Sequence, residues 1–153
     1  MTVELLLVSL DAVTFAVVAA DVIEVARVVA ITRVPGCPES IEGVINVRGR
    51  ACPVYDLRGR FGLPAHPVER TEHLVVVDLG ARGHAVVRVS RVHELRKLDP
   101  EIIARATPSV DPMIAGLVQL PDGLLVICDL KGFLTEVDAT RTAHAIEAVE
   151  AAP

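Results

Sequence analysis

The sequence contains no tryptophan, one tyrosine and three phenylalanines. Aromatics make up 3% of a chain that is 52% hydrophobic, so valine, leucine, isoleucine and alanine must do the packing. A valine-rich core favours strands, because branching at Cβ suits a pleated sheet. Net positive charge is missing too. The formal charge is −5, with arginine strongly preferred over lysine, so no global positive field draws in a phosphate backbone.

Cysteine is scarce and unpatterned: Cys37, Cys52 and Cys128 are odd in number and lack C-x-x-C spacing. That suits a reducing cytoplasm better than a disulfide framework, and all three read as small buried or half-buried hydrophobes. No apolar run reaches the roughly 18 residues that a spanning helix needs. The apolar N-terminal stretch is interrupted by Glu4, Asp11, Asp21 and Glu24 and has neither the basic start nor the cleavage site of a signal peptide. The expectation is a soluble cytoplasmic protein with no direct membrane insertion. His66, His73, His84, His93 and His144 are scattered without zinc-site spacing, and no Ser-His-Asp set emerges from spacing. No metal, cofactor or enzymatic activity is expected.

What the chain does have is an internal echo, repeated about 73 residues apart. Ile41-Glu42-Gly43-Val44 leading to Asp56-Leu57-Arg58-Gly59 returns without a gap as Ile114-Ala115-Gly116-Leu117 leading to Asp129-Leu130-Lys131-Gly132. Val22-Ile23-Glu24-Val25 is echoed by Val92-His93-Glu94-Leu95. Two similar lobes follow.

Strands are expected at 3–10, 13–19 and 25–34, with Asp21 capping a short turn between the second and third. The alternation around residues 44–51 marks a half-buried strand, with Gly49 at a tight turn and 51–55 returning beside it. Asp56 and Asp129 read as duplicated helix caps, with Leu57 and Phe61, and then Leu130 and Leu134, sealing the lobes. Further strands fall near 74–79, 84–89, 92–95, 114–120 and 124–128. Lobe one is placed roughly at 13–64 and lobe two roughly at 65–136, with the polar segment Pro64–Glu72 as the crossing and the N-terminal strand shared. Residues 137–153 read as a C-terminal helical tail. Short strands with no long βαβ unit mean β-barrels.

Residues 43–64, Gly-Val-Ile-Asn-Val-Arg-Gly-Arg-Ala-Cys-Pro-Val-Tyr-Asp-Leu-Arg-Gly-Arg-Phe-Gly-Leu-Pro, resemble the CheW family of bacterial chemotaxis coupling proteins. The family pattern G-V-x-N-L-R-G, followed by P-V-x-D-L-R, is matched with only Val47 where leucine is usual. Val22-Ile23-Glu24-Val25 and the stretch from Ile31 to Gly36 extend the likeness, which covers about residues 5–135.

The resemblance implies a mainly β fold of two intertwined five-stranded SH3-like β-barrels with short helices. It also implies a non-catalytic adaptor that joins the cytoplasmic tip of a methyl-accepting chemoreceptor to the regulatory domain of a CheA-type histidine kinase, and that associates with other CheW-like domains in rings at receptor arrays. By motif, the receptor-contacting residues are Arg48, Gly43, Gly49 and Val92. Val22, Glu24 and Ile31 match the kinase-contacting side. The neighbouring Arg50, Arg58 and Arg60 read as a solvated rim.

The second lobe departs from the family at Val89-Ser90-Arg91-Val92, where V-D-x-V is usual. Ser90 removes a carboxylate, while Arg88 and Arg91 add positive charge. A second reading is therefore a divergent member, such as the Frz type of gliding bacteria, that binds receptors without coupling to the kinase. A third, an SH3-like nucleic-acid-binding module, is disfavoured by the acidic charge and by having only Phe15, Tyr55, Phe61 and Phe133 to stack on bases.

Overall fold

A computed structural model describes residues 2–36, 41–107, 113–121 and 123–136. The chain forms β1 (Val3–Leu10), β2 (Val13–Val18), β3 (Val22–Arg27), β4 (Ile41–Val47), β5 (Arg50–Asp56), β6 (His73–Asp78), β7 (His84–Val89), β8 (Arg91–Leu98), α1 (Pro100–Ala104), β9 (Ile114–Leu120), β10 (Gly123–Cys128) and α2 (Leu130–Glu136). Short 3₁₀ helices occupy Ala19–Asp21, Arg58–Phe61 and Gly80–Arg82. The fold is mainly β, as expected, with strands in two five-stranded sheets ordered β8-β1-β2-β10-β9 and β3-β6-β7-β5-β4.

The echo in the sequence is an echo in topology. Each sheet contains one parallel pair, β2 with β10 or β5 with β7, among otherwise antiparallel neighbours. In sheet two the order along the chain is edge strand β3, hairpin β4–β5, an Asp-led helical turn, then hairpin β6–β7. Sheet one repeats this as β8, β9–β10 and α2, and its last hairpin is β1–β2 from the start of the chain. Strand membership thus runs across the segment 64–72, which joins β5 to β6 within one sheet.

A glycine in each unit lets the sheet curl on itself. The chain leaving β3 crosses to the far edge and forms one antiparallel bridge, Thr32 to Val44, with N–H to carbonyl oxygen distances of 2.8 and 3.0 Å. The chain after β8 does the same through Thr107 and Leu117, at 2.9 Å in both directions. A Cβ on Gly43 would overlap the Thr32 carbonyl oxygen, and one on Gly116 would lie 2.7 Å from the Ala106 methyl. Backbone fills the space at Gly43 and the Ala106 side chain fills it at Gly116, so only hydrogen fits.

The two sheets share a core. Leu6, Val8, Leu10, Phe15 and Val17 pack with Tyr55, Leu57, Val75, Val77, Val87 and Val89, and α2 adds Leu130, Phe133 and Leu134. Phe61 stacks on Phe15 with ring centroids 5.1 Å apart, and the Arg60 guanidinium lies 4.7 Å from the Phe133 ring centroid. All four aromatics therefore gather at this junction, where one large side chain fills space that several valines could not. Smaller clusters stay within each sheet, for example Leu5, Val118 and Ile127 in one and Ile45, Val54 and Val76 in the other.

Asp129 caps α2, its Oδ1 accepting the Gly132 N–H at 3.0 Å. Asp56 accepts the Arg58 N–H at 3.0 Å, but the cap position of that 3₁₀ helix is Leu57, so Asp56 shapes the turn without capping it. Gly62 ends its turn in the left-handed region at φ 70°.

Other expectations need correction. Asp21 is the last residue of a 3₁₀ helix whose preceding cap position is Val18, so it caps nothing. The third strand is 22–27 and not 25–34, because one stretch cannot pair with β6 and also bridge to β4. After Val28 donates to the Glu72 carbonyl, the chain turns away toward Val44. Cys52 and Cys128 are buried as expected. The readings of Cys37 and of the tail 137–153 fall outside the described residues.

The glycine argument makes a stability prediction. Gly43→Ala should cost about 3 kcal/mol through backbone overlap. Gly59→Ala, where a Cβ meets nothing within 4 Å, should be neutral or stabilising by up to about 1 kcal/mol. Urea midpoints of the two variants against the parent protein check the contrast.

Candidate functional site

The hairpin between β4 and β5 turns in two residues, Arg48 and Gly49, with φ of 50° and 85°. Two consecutive positive φ values are those of a type I′ turn, whose twist matches that of the strands it joins. Gly49 adopts this conformation freely, whereas a non-glycine residue there stores on the order of 1–2 kcal/mol. Asn46 holds the turn closed, its Oδ1 accepting the Gly49 N–H at 2.9 Å. The Asn-Val-Arg-Gly motif is therefore a mechanical unit that projects Arg48 outward, with its side chain 71% exposed.

Arg48 meets Glu24 of β3, Nε to Oε1, at 3.8 Å. β3 and β4 are opposite edges of the same sheet, and its curl brings them together. Gly43 and Ile31 also adjoin, since the Ile31 Cγ2 lies 2.9 Å from where a Gly43 Cβ would be. The structure therefore places Arg48, Gly49, Gly43, Glu24 and Ile31 along one side of sheet two. Val22 and Val92 occupy matching positions on β3 and β8, both half-buried against the shared core. Val92 belongs to the other sheet, where it pairs with Val8. Val44 is buried beneath the Thr32 bridge.

Behind this side lies a buried ion network. Arg88 of β7 is 1% exposed and makes a fork with Glu42, Nε to Oε2 and Nη2 to Oε1 both at 2.7 Å. Its Nη1 donates to Glu72 Oε1 at 2.6 Å, and Nη2 reaches Asp56 Oδ2 at 3.3 Å and the His66 carbonyl at 3.2 Å. Arg58, equally buried, donates through Nη2 to Glu72 Oε2 at 3.0 Å and Ser90 Oγ at 3.2 Å. Its Nε and Nη2 approach the two Asp11 carboxylate oxygens at 3.4 Å. Glu72, itself buried, thus joins two arginines and also accepts the Glu69 N–H at 2.7 Å.

Burial pushes the Glu72 carboxyl up, but the Glu69 N–H and the two guanidiniums outweigh it and leave its pKa below the ordinary value near 4.5. Burial likewise opposes the charge on Arg88, and the hydrogen bonds of Glu42 and Glu72 overcome it, raising the pKa. Asp56, read as a cap alone, is a counterion to both arginines.

These contacts overturn two readings of charge. Arg58 is buried, so it is no part of a solvated rim, whereas Arg50 and Arg60 are exposed. Arg88 spends its charge inside the protein, and the Ser90 hydroxyl accepts from the Asp11 N–H at 2.8 Å as well as from Arg58. Among the residues 88, 90 and 91 that set the second lobe apart, only Arg91 offers charge to solvent.

Beside the network opens a cleft of about 740 Å³. Val29, Ile31 and Val34 line it from one segment, Ala65, Pro67 and Val68 from another, and Glu42, Asp56 and His66 contribute polar groups. Among the described residues no cluster of His, Cys, Asp and Glu is arranged to hold a metal ion, and no helix is long and apolar enough to cross a membrane.

The profile of the CheW-like domain matches residues 4–138. Chemotaxis protein CheW of Bacillus subtilis is 33% identical over 109 residues, covering 67% of this chain and 68% of that one. A probable chemotaxis protein CheW of Rhizobium etli is 27% identical over 114 residues, covering 71% and 72%. The crystal structure of the scaffolding protein TtCheW from Thermoanaerobacter tengcongensis superposes with a TM-score of 0.77 at 31% identity, covering 91% of each chain.

The network generates a prediction about acid stability. Glu72→Gln should cost about 3 kcal/mol at neutral pH, because two buried guanidiniums lose their shared carboxylate. With its folded pKa depressed, Glu72 contributes above pH 4.5 and the contribution fades as pH falls through the folded value. Urea unfolding from pH 7 down to 3 should show a shallower acid loss in the variant than in the parent.

Proposed function

The chain belongs to the CheW-like domain family, and from that premise we propose that it is a non-catalytic adaptor of a bacterial chemosensory system. It joins the cytoplasmic tip of a methyl-accepting chemoreceptor to the regulatory domain of a CheA-type histidine kinase, in the cytoplasm at receptor arrays. The observation that carries this reading is Arg48, held outward on a locked two-residue turn beside Glu24. A guanidinium presented on rigid backbone can pair with a carboxylate or cap carbonyls on a receptor helix and loses less entropy on docking than one on a loose loop.

Gly43 and Gly49 support that presentation, and Val92 is the receptor-facing position of the other sheet. Val22, Glu24 and Ile31 form the kinase-facing side. Arg48 and Glu24 touch, so receptor and kinase contacts adjoin rather than occupy opposite poles. Docking of this kind requires no cofactor. Individual contacts of moderate strength suffice where rings with other CheW-like domains add avidity.

The second reading keeps receptor binding and removes kinase coupling. Its motive was charge at residues 88–91, and the internal roles of Arg88 and Ser90 weaken it. A nucleic-acid module gains nothing from the fold, since two of the arginines are consumed in the buried network.

Arg48→Glu should weaken capture of a receptor-tip fragment by about 2 kcal/mol, as for a central interface arginine. The urea midpoint should barely move, because an exposed pair contributes between about 0 and 1 kcal/mol. Titration calorimetry with the receptor fragment checks the first, and equal affinity in parent and variant removes Arg48 from the site. Co-purification with the kinase regulatory domain decides between the two adaptor readings.

A further inference from the structure

Both ring nitrogens of His66 face oxygens that only accept hydrogen bonds. Nδ1 lies 2.8 Å from the Pro67 carbonyl oxygen and Nε2 lies 3.2 Å from Asp11 Oδ1. A neutral imidazole has one N–H and would turn a lone pair toward one of these oxygens, whereas an imidazolium donates to both. Protonation of Asp11 would resolve the conflict differently, but the Arg58 guanidinium spans both carboxylate oxygens and keeps Asp11 ionised. The fitting species is the cation.

The two partners come from different halves of the fold. His66 sits on the segment 64–72 of sheet two, and Asp11 sits in the β1–β2 turn of sheet one. Asp11 takes a left-handed φ of 51° and is fixed there by its N–H on Ser90 and its carboxylate on Arg58. One side of the bond is thus rigid, while the other is an exposed loop bearing Ala65, Pro67 and Val68 of the cleft wall.

We propose that His66 is a proton-operated latch between the two sheets: as a cation it ties the 64–72 segment to the β1–β2 turn, and on losing its proton it gives up one of its two bonds and loosens that wall of the cleft. The charged groups around it are Asp11 from the β1–β2 turn, Arg58 from the 3₁₀ helix, Glu72 from the end of the segment and Arg88 from β7, which donates to the His66 carbonyl. Arg33, Glu42 and Asp56 share the cleft with it. Four carboxylates against three guanidiniums leave one excess negative charge, which the imidazolium offsets. The bonds to Pro67 and Asp11 outweigh burial and the nearby Arg58 and raise the His66 pKa above its ordinary 6.5. With a raised folded pKa, the latch is fully made below about pH 6.5 and is lost as pH climbs through the folded value.

Ring ¹⁵N spectra of the full chain between pH 5.5 and 9, with His66 assigned by its absence in His66→Gln, test the latch. At pH 6.5 both ring nitrogens should be protonated, and the midpoint should lie above 6.5. Amide protection factors across 64–72 should fall several-fold through that midpoint in the parent protein and stay flat in His66→Gln, which already lacks the cation. A midpoint at or below 6.5, a single neutral tautomer at pH 6.5, or identical protection profiles in the two proteins would overturn the proposal. Asp11→Asn supplies an independent arm: with the carboxylate gone, the His66 midpoint should move down, and an unmoved midpoint overturns it equally.

Discussion

The arrangement of sheet two and its surroundings depends on Glu72, a buried carboxylate shared by two buried arginines. Arg88 comes from β7, Arg58 from the turn after β5, and Glu72 from the segment just before β6. Three separate stretches, whose arginines lie 14 and 16 residues from Glu72 in sequence, meet at one carboxyl group. Taking charges out of water costs several kcal/mol per ion, so such a cluster is tolerable only where nearly every lone pair and N–H is used. The fork on Glu42 and the donated N–H of Glu69 do much of that work. Its value lies less in net stability than in geometry, because a guanidinium fork fixes direction as well as distance. Asp11 extends the same network to the first sheet, and the shared aromatic junction then has one angle at which to pack.

Much of the fold was legible because it rests on local patterns. β1, β2 and β4 to β10 lie within a few residues of their expected positions, since alternation and turn residues mark a strand wherever one face is buried. The Asp-led turns were legible for the same reason. β3 was misplaced because its end is set by a remote event, the crossing to Val44, which no periodicity encodes. Strand membership was equally hidden. A hairpin reads the same whether it completes the sheet before it or, like β1–β2, the sheet formed at the other end of the chain.

The buried network escaped for a different reason. Arginine is so often solvated that a single sequence favours the rim reading, and Arg58 beside Arg60 resembles one. A faint signal existed in Ala85-Val86-Val87-Arg88-Val89, where a cation interrupts a run buried on both faces. Such a position must either break the strand or find an internal carboxylate. The motif resemblance named Arg48 and Glu24 but assigned them to different partners, and only the curl of the sheet reveals that they touch.

The two units also differ where their topology is most alike. At the place of Glu42 the second unit has Ala115, and at the place of Arg88, one residue past the Cys128–Val17 pair, it has Val18. The counterpart of Arg48 is Pro121, which carries no charge. At these two places sheet one is therefore held by apolar contacts where sheet two uses ions, although Asp129 and Lys131 keep charge at the places of Asp56 and Arg58. Dispersion and burial set no direction, so an apolar sheet can shift slightly under load, whereas an ionic fork resists displacement. The exposed arginine belongs to the unit whose interior is ionic, and the coincidence has a physical sense. A hairpin that must hold a guanidinium at a fixed point in space is best rooted in the half of the molecule whose interior fixes direction.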